Sequence, residues 1–370
     1  MEWLKSEPSG QRTVALAVAI ILVGSAIFLP LLGQASALRQ VQGRLKVMTW
    51  NLSDGADLAP VLAATTQEQL FAAVGTAYNG IIATNFPERA KAIAKQIEIQ
   101  NPDIIGLQEA ILLRTQTPAD GPATPASNIS YDHLKILIDS LEERDLHYRV
   151  VVNQTGTDIE APGLFSTGLM DVRLTDRDAI LVREDGETFT VSNPQGAQFA
   201  AKISLSSLVG PINLPKSWVS LEVTLTSGEK AKVVSAHLEP LSPVIQVAHA
   251  AELIGGPANT ALPVILIGDF NSKADSTGTQ TYSNLIAAGF SDAWSINGRG
   301  NGFTCCQEPD LNNSASLLNS RIDLVLFKGN FEVKKTELVG ESNKDKTSDG
   351  LWPSDHAGVV ADLKLKTQIT

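Results

Sequence analysis

Apolar positions along the chain follow two periodicities that alternate from one end to the other. Residues 87–100 place Ala90, Ile93, Ala94 and Ile97 on one stripe of a helix, with Pro87 in the first turn and Asn101-Pro102 as the stop. Residues 133–146 repeat that spacing with Leu134, Leu137, Ile138 and Leu141, and further helices are predicted over 244–254 and 280–288. Between them, short apolar runs predict strands at 45–51, 104–109, 148–152, 179–182, 218–225, 231–236, 264–269, 324–327 and 358–363. Neighbouring runs within 218–236 and 321–338 suggest hairpins, so the sheets should be mixed or partly antiparallel.

Three stretches break the pattern. Residues 54–85 form an insert with an apolar patch at 70–74, and 115–129, rich in Thr, Pro and Ala, reads as a mobile surface loop. Residues 193–215 carry Phe199, Ile203, Leu205, Leu208, Ile212 and Leu214; the expectation is a small satellite core under a loop, the alternative a lip that touches lipid or a large substrate.

The chemistry-bearing residues cluster at strand ends. Ile265-Leu266-Ile267-Gly268-Asp269-Phe270-Asn271 reads as a buried strand that offers a carboxylate and a carboxamide two residues apart. Alone, Asp-x-Asn is an ordinary turn. Other strands, however, end in Asn51, Glu109 and His237, Asp323 opens another, and Asp355-His356 precedes the last. An active site at a sheet edge is assembled in this way. Of the five histidines, His133, His147 and His249 lie in amphipathic or loop-like segments, where packed or solvated roles are expected.

The ordered strings TWN, LQE, SAHL, GDFN, RIDLVLF and SDH resemble the endonuclease/exonuclease/phosphatase superfamily, metal-dependent phosphodiesterases that include secreted DNases, abasic-site endonucleases, inositol-phosphate phosphatases and sphingomyelinases. The resemblance spans residues 45–365. It implies an α/β (α+β) fold of the DNase I type, a four-layer sandwich of two facing mixed β-sheets flanked by helices, with the site at one rim. It also implies hydrolysis of phosphodiester or phosphomonoester bonds by metal-assisted in-line attack of water.

A phosphodiester resists attack because its oxygens are anionic, so charge neutralisation, an activated water and a proton for the leaving oxygen are all required. Mg2+, with Mn2+ or Ca2+ as alternatives, suits Glu109 as ligand, with Asn51 adding an oxygen or fixing that carboxylate. Asp269 is suited to orient or deprotonate the water, and Asn271 to hold it or a phosphate oxygen. His237 and His356 are candidates to hydrogen-bond phosphoryl oxygens or protonate the leaving group. Asp323, acting through His237, and Asp355, acting through the metal or a histidine, would support them. By resemblance, Arg177 or Asp178 falls where relatives place substrate-contacting groups; a structural salt bridge is the alternative.

Composition limits the remaining choices. With 43% hydrophobic and 19% charged residues the chain has ample material for a core, and motifs spread from end to end imply one catalytic domain over 38–370. Lys5 and Arg12 precede an apolar run at 14–32 followed by Ala35-Ser36-Ala37, an export-signal pattern over 1–37, with an uncleaved signal anchor as the alternative. The catalytic domain is therefore expected to be exported: extracellular, periplasmic or on the outer face of the plasma membrane. The net charge of −11 and the lack of a basic cluster count against a high-affinity nucleic-acid binder. A nucleic-acid substrate is still the first expectation, and a phospholipid or sphingolipid phosphodiester the alternative. A non-catalytic surface binding protein is the reading from another class, and a monomer is expected. Cys305 and Cys306, the only cysteines, are either a vicinal disulfide or two thiols shaping a loop.

Overall fold

Alternation within the short strands decides the architecture. Leu45 and Val47 pack into one apolar cluster and Met48 and Trp50 into another, and Val233 and Val234 are divided in the same way. These central strands therefore have two buried faces, and each sheet must be covered on both sides there. The computed structural model describes residues 43–186, 188–208 and 210–366. The segment 1–37, expected as an export signal, lies outside the described residues. From Arg44 onward the described residues pack as one unit.

The early strands are β1 (Arg44–Asn51), β2 (Ile104–Gln108), β3 (Leu112–Gln116), β4 (Asn128–Asp132), β5 (Tyr148–Phe165) and β6 (Gly168–Arg183). The middle of the chain supplies β7 (Phe189–Gln198), β8 (Ile203–Ser207), β9 (Gly210–Leu214), β10 (Ser217–Leu225), β11 (Lys230–His237) and β12 (Val264–Asp269). Last come β13 (Ser291–Asp292), β14 (Asp323–Lys328), β15 (Phe331–Val339) and β16 (Gly358–Leu365). One sheet runs β15-β16-β1-β2-β6-β3-β4, with β5 also on β6; the other runs β13-β14-β12-β11-β10-β7. Each has one parallel pair, β1 with β2 and β11 with β12, and is otherwise antiparallel, so both are mixed as expected.

Between the sheets lies a core of Val47, Ile104 and Ile180 from one and Val219, Val233, Ile265, Ile267 and Val325 from the other. Helices Phe86–Gln100 and His133–Glu142 cover the first sheet, and Pro243–Gly255 and Thr281–Ala287 cover the second. This is the four-layer sandwich. All four helices fall where the periodicity places them.

Several expectations are corrected. β14 and β15 do not form a hairpin: β14 pairs with β12 and β13, β15 with β16. The chain changes sheet at Gly329-Asn330, and Phe327 and Phe331 meet edge to face across the gap. The insert at 54–85 folds into helices Ala59–Ala63 and Gln67–Ala83, whose Leu70, Val74 and Ile81 pack on Ile111, Leu113, Val172 and Leu174. Strands at 148–152 and 179–182 are the ends of a long ribbon, β5–β6, that Gly156, Pro162 and Gly163 conceal from pattern reading. Residues 117–127 are the surface loop expected there, joining paired β3 and β4, with Asp120 and Gly121 N–H groups bonded to Asp171. In 193–215, residues 193–198 complete β7 beside β10, Phe199 enters the outer core, and β8 and β9 form a two-stranded hairpin rather than a satellite core.

Candidate active site

The two parallel pairs end side by side at one rim. Register sets Asn51 beside Gln108 and His237 beside Asp269, while antiparallel β14 begins with Asp323 opposite Asp269. Polar contacts lock the sheets together there: Thr49 donates to Gln108 Oε1 at 3.2 Å, and Gln108 Nε2 donates to Ser235 Oγ at 3.0 Å. Gly268, one residue before Asp269, has φ of +143°, and a Cβ there would stand 1.9 Å from the Ala236 carbonyl oxygen. Only glycine admits that approach.

Asp269 is the point of convergence. Asn51 Nδ2 donates to it at 3.1 Å and to Glu109 Oε1 at 3.0 Å. His237 Nε2 lies 3.6 Å from Asp269 Oδ2 and 3.9 Å from Glu109 Oε1, and His356 Nε2 lies 3.9 Å from Asp269 Oδ2. Asn271, at φ +50°, donates its backbone N–H to Asp269 Oδ1 and its side-chain amide to the Leu238 carbonyl. It braces the turn that carries Asp269. Asn51 Oδ1 accepts the Ser53 N–H, so this side chain orients Glu109 and Asp269 through its amide nitrogen while its oxygen keeps one lone pair.

The last motif is tied to the first. Ser354 Oγ donates to the Asn51 carbonyl at 2.6 Å, and the Trp50 indole donates to the His356 carbonyl at 3.0 Å. His356 Nδ1 pairs with Asp323 Oδ2 at 2.8 Å. Asp323 thus supports His356, not His237 as expected from sequence, because β14 starts beneath the His356 turn. His237 has a different partner, Lys216, whose Nζ lies 3.3 Å from Nδ1. An ammonium only donates, so His237 Nδ1 accepts and Nε2 carries the hydrogen that points toward Asp269 and Glu109.

Burial and charge set opposite states on the two imidazoles. Burial, then Lys216 and His356, hold His237 well below its ordinary pKa. Burial also works against a charged His356, but Asp323 and Asp355 outweigh it and hold the ring well above its ordinary pKa. Burial and Asp323 push Asp269 up to about 7. Burial, then Asp355, raises Glu109, and burial, then Glu109, raises Asp54 well above the carboxylate range.

Asp355 lines the cavity at this rim together with Glu109, Asp54 and Asp176. Lys216 is the only cation among the lining residues, and it is already paired with Asp176 at 3.2 Å. Asp54 Oδ1 is buried without a partner. Crowded carboxylates with an orphaned oxygen form a hard, anionic donor set, and that is the environment a divalent cation stabilises. Asp269, Asp323 and His356 also bring ligand atoms within 4.8 Å of one another, although His356 Nδ1 in that group is held by Asp323.

The chain matches the Endonuclease/Exonuclease/phosphatase family over residues 48–356. It belongs to that family. Membership makes it a hydrolase acting on phosphoric ester bonds. A family protein from Bacteroides thetaiotaomicron is similar in structure, with a TM-score of 0.56 at 18% identity over 88% of this chain and 98% of that one. The mannosyl-6-phosphatase Bt3783 of the same organism aligns with a TM-score of 0.50 at 18% identity, covering 86% of this chain and 99% of that one. A humanized D. rerio TDP2 aligns with a TM-score of 0.51 at 16% identity, covering 87% and 99%. These similarities establish the DNase I-like fold. Comparison with curated proteins finds no match.

Within the family frame, the structure brings Asn51, Glu109, His237, Asp269, Asn271, Asp323, Asp355 and His356 to one rim, and leaves Arg177 and Asp178 outside the cavity lining. The Arg177 guanidinium bonds the Ala110 and Ile111 carbonyls and Asp132, which fixes the chain after Glu109. Asp178 is buried and accepts from Ser217. Asp54, Asp176, Lys216 and Arg89 were missed by sequence reasoning. Asp54 lies three residues after Asn51 and Asp176 directly before Arg177, but Lys216, between Pro215 and Ser217, carries no local signal.

The two cysteines are joined as a vicinal disulfide, and Cys306 Sγ lies 3.9 Å from His356 Nε2. Their segment stitches the two final motifs: Cys305 bridges both Ser320 and His356, and Thr304 Oγ1 accepts the Ile322 and Asp323 N–H groups.

Proposed function

We propose that the chain is a divalent-cation-dependent phosphoesterase, with Mg2+ the expected ion, that cleaves phosphodiester or phosphomonoester bonds by in-line attack of water. The observation that carries this reading is the convergence of Asn51, His237 and His356 on one buried carboxylate, Asp269, with Asp323 behind His356. Glu109 and Asp355, with Asn51 orienting Glu109, would hold the cation; when bound, it neutralises phosphoryl charge and favours the attacking water in its deprotonated form. Asp269 orients that water and accepts its proton. The protonated His356, fixed by Asp323, passes its proton to the leaving oxygen as that P–O bond breaks, and His237 donates a hydrogen bond to a phosphoryl oxygen from Nε2. Export of the chain is part of the proposal and is supported by the apolar run at 14–32 and the Ala35-Ser36-Ala37 pattern.

Asp269→Ala and His356→Ala should each lower turnover of a bis-aryl phosphodiester by about 10²–10⁴-fold with unchanged circular dichroism. Near-normal activity in either variant would contradict the assignment.

A further inference from the structure

The carboxylates at the rim share their cavity with an apolar wall. The cavity holds about 440 Å³, within the range of roughly 300–1,000 Å³ typical of small-molecule sites. Asp54, Glu109 and Asp355 stand in one part of its lining. Val61, Ala77, Ile81, Leu113, Val172 and Leu174 supply much of the rest.

This wall is the work of the insert at 54–85. Helix Gln67–Ala83 buries Val74 and Ile81 on the first sheet and also turns residues of that face toward the cavity. Helix Ala59–Ala63 has no buried residue; its Val61 and Leu62 line the space half-covered. Apolar side chains left facing a solvent-filled space forfeit stabilisation that an apolar occupant would restore. The loop after β11 continues the theme, since Leu241 lines the cavity and is 63% exposed.

The polar part of the lining fits a single phosphoryl group better than a polyanion. Besides the candidate metal-holding residues it contains Asp57, Asp176 and Glu239, and its one cation, Lys216, is paired with Asp176. A nucleic-acid backbone would bring several phosphates and find no row of Lys or Arg to neutralise them.

We propose that this cavity receives an apolar chain of the substrate itself, so that the enzyme acts on an amphiphilic phosphoester whose aliphatic chain is attached next to the phosphoryl group. The inference rests on the phosphoesterase reading and adds the substrate class. The phosphoryl group meets the metal-holding carboxylates, Asp269 and the two histidines, and the chain runs along the wall made by helix Gln67–Ala83 and strands β3, β5 and β6. Specificity then follows from chain length rather than from headgroup contacts.

The test uses the full chain with Mg2+ and a series of 4-nitrophenyl alkyl phosphodiesters from ethyl to dodecyl, below their micelle-forming concentrations. Each methylene buried should raise kcat/KM by about fourfold, from roughly 0.8 kcal/mol per group, until the cavity is full. Ala77→Trp, which fills the wall, should flatten that dependence at an unchanged melting temperature. In parallel, calorimetry should find decylphosphonate bound far more tightly than ethylphosphonate, with a negative heat-capacity change. Short members cleaved as fast as long ones would overturn the inference and leave the phosphoesterase reading intact, as would cleavage of plasmid DNA in preference to every alkyl ester. Failure of all members and of DNA would sink the phosphoesterase reading. The phosphonate arm, which needs no turnover, then still decides the matter: equal affinity for the two compounds overturns the apolar subsite.

Discussion

His356 and His237 show how two like residues acquire different roles from their second nitrogen. His356 Nδ1 faces a buried carboxylate and His237 Nδ1 faces an ammonium, so one ring is held charged and the other neutral. The first is built to donate to an anion from both nitrogens, the second from Nε2 alone. Asp323 holds His356 at 2.8 Å and raises the pKa of Asp269, so Asp323→Asn should lower kcat by about 10²–10⁴-fold while KM changes little. A variant with wild-type kcat would remove the support role. Most of the residues at the rim were readable because each stands where an alternating apolar run stops: Asn51 after Trp50, His237 after Ala236, Asp269 after Gly268. Lys216 and Arg89 were not readable, since a lone cation in a polar or helical string says nothing of the carboxylates or carbonyls that tertiary structure gathers around it.

Elements of the fold converge on Arg89, a buried guanidinium on helix Phe86–Gln100. It donates to the carbonyls of Thr84, Leu52, Ser53 and Pro353. It thereby straps the loop after β1 to the loop before the Asp355-His356 turn, and burial lowers its own pKa to about 10. Arg89→Met should strand those carbonyls and destabilise the protein by at least about 3 kcal/mol, read as a shift of the denaturant midpoint; an unshifted midpoint would mean the strap is redundant. The second sheet carries a pH-dependent brace. His249, stacked on Phe199 with Nε2 bonded to the Ala201 carbonyl at 2.7 Å, is lowered from 6.5 chiefly by burial. A depressed folded pKa means that the unfolded chain binds the proton first, so this contribution is full above 6.5 and is lost as pH falls toward the folded value. Thermal melting should therefore fall less between neutral and mildly acidic pH in His249→Phe than in wild type, and identical pH profiles would exclude it. At this scale, pattern reading found the amphipathic helices and the core strands. It missed the β5–β6 ribbon, where Gly and Pro interrupt the alternation, and it paired β14 with β15, because adjacency in sequence cannot reveal a change of sheet.

For the whole molecule, the arrangement follows from two parallel strand pairs set face to face. Each pair ends in polar residues at the same rim, so the site is complete only when both sheets are in place, and no half of the chain contains it. The same rim opens on the apolar cavity that the insert builds. Among the described residues no helix is long and apolar enough to cross a membrane, and at the site carboxylates outnumber cations, with Lys216 alone facing Asp54, Glu109, Asp176 and Asp355. The proposed function therefore requires a divalent ion. The most direct measurement is hydrolysis of a bis-aryl phosphodiester by the full chain after exhaustive EDTA treatment, followed by titration with Mg2+ and Mn2+. Turnover should vanish in EDTA and return in a saturable manner with the added ion; turnover that persists without a divalent cation would contradict the account.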